Sequence, residues 1–297
     1  MLVLGLDVGG STIKSGLVSA DGSLSEVLRT QTPQNDPTAT ATVQVLEQLV
    51  ASYQSKATIA AVGLSIPGIT DSELGLSMFS GTLGWRNLPL QKMLSDRVGI
   101  PVFLVHDVTA GGIAELKIGA AKGLDSAVVI AIGTGLAASL VLDGKIYHPH
   151  ASVGELGHVP TRNQRPCVCG KTGCLEMTVS GGALSRNYLA ESGNQLAAHE
   201  VIALALSGDS VAGKLWDEFL DELGFACHYI SSLLGPEVIV IAGGFGYLED
   251  KIVLPIQSYL NNALSIQRVP KVAVSRLEGT SGCIGAALHA FEKLSTK

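Results

Sequence analysis

The chain opens with apolar runs joined by short glycine turns, and the same pattern returns near its middle. The first turn is Gly9-Gly10, after the run that begins at Leu2, and the second is Gly133-Thr134-Gly135, after the run that begins at Ala127. An Asp-Gly pair follows the second run of each pair. β-rich runs joined by such turns predict β-hairpins. The repeat predicts two related lobes, each of which opens with a glycine-turned hairpin.

The rest of the pattern alternates short apolar runs with segments whose apolar residues recur every three or four positions. These periods predict strands and helices in turn, and hence an α/β fold. Strands are predicted over residues 59–66, 102–105, 238–242 and 271–275, and helices over residues 40–53, 109–118, 211–234 and 284–294. We expect a small N-terminal lobe of residues 1–115 with a C-terminal helix at 284–297, and a larger lobe of residues 116–283.

Composition narrows the class of protein. Hydrophobic residues make up 46% of the chain, which excludes a disordered protein. Residues 126–142 carry no charge, but the glycine turn at their centre favours two strands over a membrane-spanning helix. The N-terminus lacks the basic segment of a signal peptide, so we expect a cytoplasmic protein. The net charge of −6 comes without any basic run, which argues against nucleic acid as a partner.

Two glycine turns suggest phosphate binding. In the first, Asp7 ends a strand and Gly9, Gly10, Ser11 and Thr12 leave backbone N–H groups free for an anion, while Asp7 suits Mg²⁺ held through water. Lys14 would add a positive charge, although a solvated strand lysine is the alternative. Gly133, Thr134 and Gly135 would form a second phosphate turn, and Gly243-Gly244 opens a helix that could meet phosphate or ribose. Ordinary hairpin turns are the alternative; taken together, the turns predict a nucleotide site.

Asp107 follows an apolar strand and precedes a predicted helix. It therefore lies at a strand's carboxyl end, where open α/β sheets bind ligands. A carboxylate in that place can accept the proton of a hydroxyl during phosphoryl transfer. The competing interpretation makes Asp107 the N-cap of the helix.

Three cysteines and a histidine have the spacing of metal ligands. His158, Cys167, Cys169 and Cys174 supply four nitrogen and sulfur ligands with no open position, which is typical of structural Zn²⁺. The alternative is a chance cluster without metal. Glu155 and Glu176 flank the set, so zinc would hold both carboxylates in place, and carboxylates accept hydrogen bonds from sugar hydroxyls.

Together these motifs resemble the ROK (repressor, open reading frame, kinase) family of sugar kinases, whose actin-like ATPase fold is of the ribonuclease H-like class and has two lobes. The resemblance runs nearly from end to end. Residues 4–14 resemble the family's phosphate hairpin, residues 65–68 its sugar-side turn, and residues 236–244 the segment under adenine and ribose. The most specific match is the zinc and sugar signature, residues 154–158 with residues 167–176.

The resemblance implies functional roles and partners. Asp107 would be the general base of an ATP-dependent phosphorylation of a hexose at its 6-hydroxyl, in a homodimer or homotetramer. Other acceptors are an N-acylhexosamine, fructose, or another sugar or polyol, and a non-catalytic sugar-binding or regulatory protein is a further alternative. The sugar would contact Gly68, His106, Asp107, Glu155, His158 and Glu176. His106 departs from the family, which has Asn there, so the preferred hydroxyl pattern stays open.

Overall fold

The computed structural model describes residues 1–277 and 279–295, so positions 296 and 297 of the predicted C-terminal helix lie outside the described residues. The chain forms two compact units. The first comprises Met1–Gly123, Ile146–Val153 and Leu277–Lys297, and the second comprises Leu124–Lys145 and Gly154–Arg276.

The described strands are β1 (Leu2–Val8), β2 (Thr12–Ser19), β3 (Leu24–Gln31), β4 (Ile59–Ile66), β5 (Ile69–Asp71), β6 (Leu76–Ser80), β7 (Trp85–Leu88), β8 (Val102–His106), β9 (Ala127–Ile132), β10 (Leu136–Leu142), β11 (Lys145–Ile146), β12 (Val238–Gly243) and β13 (Lys271–Val274). The described α-helices are α1 (Thr40–Gln54), α2 (Leu90–Val98), α3 (Asp107–Ile118), α4 (Gly181–Ser192), α5 (Ala198–Ser207), α6 (Ser210–Leu234), α7 (Asp250–Ala263) and α8 (Ser281–Ser295). Short 3₁₀ helices cover Leu156–His158, Leu175–Met177 and Gly246–Leu248.

The first unit is built on a five-stranded sheet with the order β3-β2-β1-β4-β8. β1 pairs antiparallel with β2 and parallel with β4, which in turn pairs parallel with β8. β1 and β4 are almost continuously apolar because both faces of the sheet are covered. Leu4 and Leu6 pack with α1 in one core cluster, whereas Val3 and Ala61 pack with α8 in another.

Helix α8 lies unusually close to this sheet. A Cβ added at Gly5 of β1 would collide with the backbone of Cys283, and one added at Gly63 of β4 would collide with the backbone of Ala286. On another face of α8, a Cβ on Gly285 would collide with the carbonyl of Ala110 in α3. Three glycines therefore let α8 contact two strands and a second helix backbone to backbone.

The second unit repeats the strand order of the first. Its five-stranded sheet runs β11-β10-β9-β12-β13, with β9 antiparallel to β10 and parallel to β12. A core of aliphatic and aromatic residues, among them the stacked Trp216, Phe219 and Phe245, packs α6 with its neighbouring helices and the sheet. The predicted hairpin at the start of each half is thus confirmed.

The structure also contains elements that the periodicity did not predict. β5, β6 and β7 form a small antiparallel sheet in the first unit, and α2 follows it. Trp85 of β7 is buried, and its Nε1 donates a hydrogen bond to the carbonyl of Asp36 at 2.9 Å, so this side chain is part of the core. Within the described residues, no helix combines the length and apolar character that crossing a membrane requires.

Candidate active site

Asp7 lies near the end of β1, where the sheet register sets polar partners on both sides. Lys14 of β2 and Ser65 of β4 are its cross-strand neighbours. Ser65 Oγ donates to Asp7 Oδ1 at 3.0 Å, and Lys14 Nζ lies 4.0 Å from Asp7 Oδ2. Lys14 Nζ also donates to the carbonyl of Gly279 at 2.7 Å, so this lysine is held in place and is not simply solvated.

The Asp7 carboxyl is held where its charged form is disfavoured. Its pKa is raised from the ordinary 3.8 to about 6, first of all by burial and in addition by the negative charge of Asp107. Lys14 and the hydrogen bond from Ser65 act in the opposite direction on this pKa. A buried carboxyl with such a pKa, at the carboxyl end of a sheet, is typical of functional sites.

The first turn of α8 closes over the same carboxyl. A Cβ on Gly282 would collide with the carboxyl atoms of Asp7, so no larger residue fits there without moving Asp7. The N-terminus of a helix also favours a negative charge beside it. This contact therefore both places the Asp7 carboxyl and moderates the cost of its ionisation.

Asp107 is the first residue of α3 and directly follows β8. Its Oδ1 accepts a hydrogen bond from the backbone N–H of Val108 at 2.8 Å, and His106 Nε2 lies 3.0 Å from the same oxygen. The N-cap interpretation is wrong: His106 occupies the N-cap position, and Asp107 already belongs to the helix. The Asp107 side chain is 37% exposed, enough to reach a bound substrate.

Hydrogen bonds within the first glycine turn and from neighbouring residues fix its conformation. Gly9 N–H donates to the carbonyl of Thr12 at 3.0 Å, so the prediction that this N–H is free for an anion is wrong: the tight turn uses it internally. The carbonyls of Gly9 and Gly10 accept bonds from Thr32 Oγ1 and Gln34 Nε2. Ser11 lies exposed at the tip. Gly68, on the sugar-side turn, has a φ of +100° and a backbone contact with Phe79 that leaves no room for a side chain.

In the second unit, the second glycine turn borders a cavity of about 500 Å³. The carbonyl of Gly133 accepts from Gly181 N–H at 2.8 Å, and that of Thr134 accepts from Gly182 N–H at 3.2 Å, so the turn is fixed to the start of α4. The cavity is lined by Gly133, Thr134, Gly181, Gly182, Ser185, Ala197, Ala198, His199, Ile202, Gly244, Phe245 and Tyr247. Its volume suits a small-molecule ligand.

Gly243 and Gly244 lie next to the second glycine turn. Gly243 has a φ of +80°, and a Cβ there would lie 2.5 Å from the carbonyl oxygen of Ile132 in β9. Only glycine combines this conformation with so close an approach to the neighbouring strand. Gly244 follows on the cavity wall, so Gly133, Thr134 and Gly244 meet at one cavity. Gly135 instead lies beside Glu176, since a Cβ added at Gly135 would be 2.6 Å from Glu176 Oε2.

The predicted metal ligands of the second unit come together. The ligand atoms of His158, Cys167, Cys169 and Cys174 all lie within 4.8 Å of one another. Cys169 and Cys174 sulfurs are 3.6 Å apart, and His158 Nδ1 is 3.7 Å from Cys167 Sγ. A tetrahedral zinc ion with Zn–S bonds of about 2.3 Å separates its sulfur ligands by roughly 3.8 Å. The four residues therefore fit zinc in number, type and spacing.

The pKa values of two thiols in this set are shifted in opposite directions. Hydrogen bonds, first of all from the Lys171 backbone, lower the pKa of Cys169, whereas burial raises the pKa of Cys174 to about 12. A divalent cation is what allows several adjacent thiolates to form at once. The chemistry of the donor set thus agrees with its geometry.

Two carboxylates connect the Cys/His cluster to its surroundings. Glu155 Oε2 lies 3.7 Å from His158 Nε2, which leaves Nδ1 of the ring toward Cys167. Glu176 Oε2 accepts a hydrogen bond from the backbone N–H of Leu136 at 2.9 Å. Leu136 directly follows the second glycine turn, so Glu176 links the cysteine-rich loop to the cavity wall.

Several cavity residues were not predicted from the sequence. They are Gly181, Gly182, Ser185, His199, Phe245 and Tyr247. The one available signal was the Gly181-Gly182 pair directly after Ser180, which caps α4 by accepting a bond from Ala183 N–H. His199 and Tyr247 come from different elements, and no local pattern joins them.

The sequence profile of the ROK family matches residues 3–293. The chain belongs to the ROK family. It is 30% identical to a glucokinase from Halalkalibacterium halodurans, over 95% of this chain and 92% of that protein. It is also 27% identical to an N-acetyl-D-glucosamine kinase from Aliivibrio salmonicida, over 95% and 97% of the two chains.

Solved structures of the ROK family share the fold. A ROK glucokinase from Streptomyces griseus, in complex with glucose and AMPPNP, has a TM-score of 0.85 and 26% identity, and the match covers 97% of this chain and 98% of that one. The predicted actin-like α/β fold is confirmed, with a Cys₃His set in the second unit as expected for the family's zinc insertion.

Replacing Asp7 by Asn should stabilise this ROK protein at neutral pH. The folded-state pKa of about 6 lies above the ordinary 3.8, so above pH 6 the folded protein bears the cost of a buried charge that the amide removes. The gain is at most about 3 kcal/mol. As the pH falls through 6 toward 4, Asp7 of the unsubstituted protein takes up a proton and the difference in thermal midpoint should shrink.

Thermal unfolding of the Asp7→Asn protein from pH 8 to pH 4.5 checks this dependence. Asp96→Asn serves as the control, because Asp96 is an exposed aspartate of α2 that pairs with Lys92. A midpoint for Asp7→Asn below that of the unsubstituted protein at pH 8, or a difference independent of pH, would contradict the assigned burial of the charge.

Proposed function

We propose that the chain is an ATP-dependent sugar kinase that phosphorylates a free hexose at its 6-hydroxyl. The observation that carries this proposal is the Asp107 carboxylate at the end of β8, in a ROK chain similar to glucokinases over nearly its whole length. Its partially exposed carboxylate has the placement that a general base requires.

Asp107 would act on the acceptor hydroxyl. Its carboxylate accepts the proton as the sugar oxygen forms a bond to the γ-phosphorus of ATP and the bond to the β–γ bridging oxygen breaks, which releases ADP. The backbone N–H of Val108 donates to Oδ1 and would orient the carboxylate for this transfer. A base positioned in this way contributes about 10²–10⁴-fold to the rate.

The residues that would hold the nucleotide, as the family resemblance implies, are Asp7, Gly9, Gly10, Ser11, Thr12, Lys14, Gly133, Thr134, Gly135, Gly243 and Gly244. Backbone N–H groups and Lys14 suit phosphate oxygens, and the cavity beside Gly244 suits the nucleoside. Mg²⁺, when bound near Asp7, would neutralise the phosphate charge that develops during transfer.

The sugar hydroxyls would be bound by Gly68, His106, Glu155, His158 and Glu176 together with Asp107. Carboxylates accept hydrogen bonds from hydroxyls, and the two glutamates are held by their contacts with His158 and Leu136. Zinc on His158, Cys167, Cys169 and Cys174 would have a structural role, because four protein ligands leave no open position. A homodimer or homotetramer stays a prediction.

An N-acylhexosamine is the second candidate acceptor. The similarity to an N-acetyl-D-glucosamine kinase covers as much of the chain as the similarity to the glucokinase does, at slightly lower identity. His106, in the position of the family's Asn, leaves the hydroxyl pattern open. Sequence similarity therefore does not decide between the two acceptors, and a turnover assay is needed.

Coupled ADP release over a panel of hexoses, N-acylhexosamines and polyols tests the proposal. We expect sugar-dependent release of ADP that falls about 10²–10⁴-fold in Asp107→Asn, because the amide cannot accept the proton. Asp96→Asn, a change at an exposed aspartate, should keep full activity.

Undiminished turnover in Asp107→Asn would remove the assigned base. Binding of a sugar without turnover of any nucleotide would instead favour the non-catalytic alternative. Preferred turnover of an N-acylhexosamine would confirm a sugar kinase and replace the free hexose as its acceptor.

Removal of the metal should loosen the cysteine-rich loop. Elemental analysis should find about one zinc per chain, and strong chelation or Cys174→Ser should lower the thermal midpoint and the metal content together. Cys227→Ala, at a buried cysteine outside the set, should keep the metal. A metal-free preparation with an unchanged midpoint and full activity would contradict the structural role of zinc.

A further inference from the structure

His106 and Asp107 are adjacent in sequence, and their side chains meet. His106 Nε2 lies 3.0 Å from Asp107 Oδ1, within hydrogen-bond distance. The His106 side chain is 12% exposed, so the ring is largely shielded from water. A hydrogen bond to an ionised carboxylate is shorter and stronger than one between two neutral groups.

The backbone conformation of His106 explains why its imidazole ring can contact the Asp107 carboxylate. His106 ends β8 in an extended conformation, with φ −68° and ψ 140°, and its side chain makes no capping bond to α3. Residue pairing with Ile66 of β4 fixes the position of its backbone. The ring therefore does not serve the helix start, and its Nε2 contacts the first residue of that helix instead.

Two nitrogen atoms converge on one oxygen of Asp107. The backbone N–H of Val108 donates to Oδ1 at 2.8 Å, and His106 Nε2 lies 3.0 Å from the same atom. Rotation of the carboxyl group about its Cβ–Cγ bond would break both interactions. The backbone donor is present with any residue at position 106, but the imidazole donor is particular to this chain's His106.

We propose that His106 is a positioning residue for Asp107, with Nε2 protonated and donating to Oδ1. This inference rests on the proposed function, in which Asp107 is the base. In this arrangement His106 Nε2 holds the base, and a contact of His106 with the sugar is left to the other atoms of the ring. Its removal therefore acts on the chemical step, because misplacing a reacting group by about 1 Å can cost up to ~10²-fold in rate.

Three substitutions separate positioning from sugar binding. His106→Gln puts an amide nitrogen near the place of Nε2, His106→Asn puts one near the place of Nδ1, and His106→Ala removes the donor. We expect kcat and kcat/KM to fall together about 10- to 100-fold in His106→Ala and His106→Asn, and to recover to within about threefold in His106→Gln.

A merely structural role would not separate Gln from Asn, because both are neutral amides. Thermal unfolding of all three variants shows whether any of them fails to fold. A loss confined to the KM for the sugar, or recovery by Asn and not by Gln, would overturn the proposal in favour of direct sugar binding by the ring. Unchanged kinetics in His106→Ala would overturn it outright.

A spectroscopic measurement that does not depend on turnover tests the His106–Asp107 bond separately from the proposed function. Long-range ¹H–¹⁵N spectra of histidine-labelled protein, assigned with His106→Gln, report which ring nitrogen of His106 carries the proton. We expect Nε2–H, and a change of the Nε2 shift in Asp107→Ala but not in Asp96→Asn. A ring protonated only on Nδ1 overturns the inference, whereas absent sugar-dependent ADP release, with Nε2–H present, overturns the proposed function and leaves the His106–Asp107 bond standing.

Discussion

Helix α8 lies directly on the backbone of β1 and β4, and the arrangement of acids in the first unit depends on this contact. The approach exists because Gly5 and Gly63 carry no Cβ where the α8 backbone passes. The same helix touches α3 through Gly285 and the Asp7 carboxyl through Gly282. One helix thus fixes the strand that ends near Asp7 and the helix that begins with Asp107.

This close packing has an electrostatic consequence. It places two carboxylates near each other at one edge of the sheet, where burial and Asp107 raise the pKa of Asp7 to about 6. Such a charge lowers the stability of the folded chain, and a chain selected for stability alone would not keep it. In the second unit Glu176 has the connecting role, since its carboxylate joins the Cys/His loop to the residue after the second glycine turn.

Local patterns predicted the features that are themselves local. The two hairpins follow from glycine turns between β-rich runs, and the Cys₃His set follows from ligand spacing within residues 158–174. The sequence repeat predicted a hairpin at the start of each half, and the shared strand order of the two sheets is a finding of the structure. In contrast, the short strands β5, β6 and β7 carry too few residues to show a period, and so the small sheet was missed.

Contacts that depend on the tertiary structure could not be predicted from sequence patterns. Gly181, His199 and Tyr247 line the same cavity but come from three separate segments. No spacing in the sequence predicts that they lie together. The N-cap interpretation of Asp107 failed because the helix starts one position earlier than a cap would require. The contact of His106 Nε2 with Asp107 depends on side-chain direction, which the sequence does not encode by pattern.

The proposed function requires that this chain moves the terminal phosphoryl group of ATP to the primary hydroxyl of a hexose. ³¹P NMR of a reaction mixture with ATP, Mg²⁺ and the best acceptor of the panel tests it most directly. We expect ADP together with a phosphomonoester whose phosphorus couples to two methylene protons, and both products should form about 10²–10⁴-fold more slowly in Asp107→Asn. ADP and inorganic phosphate formed at the same rate with or without sugar would contradict it.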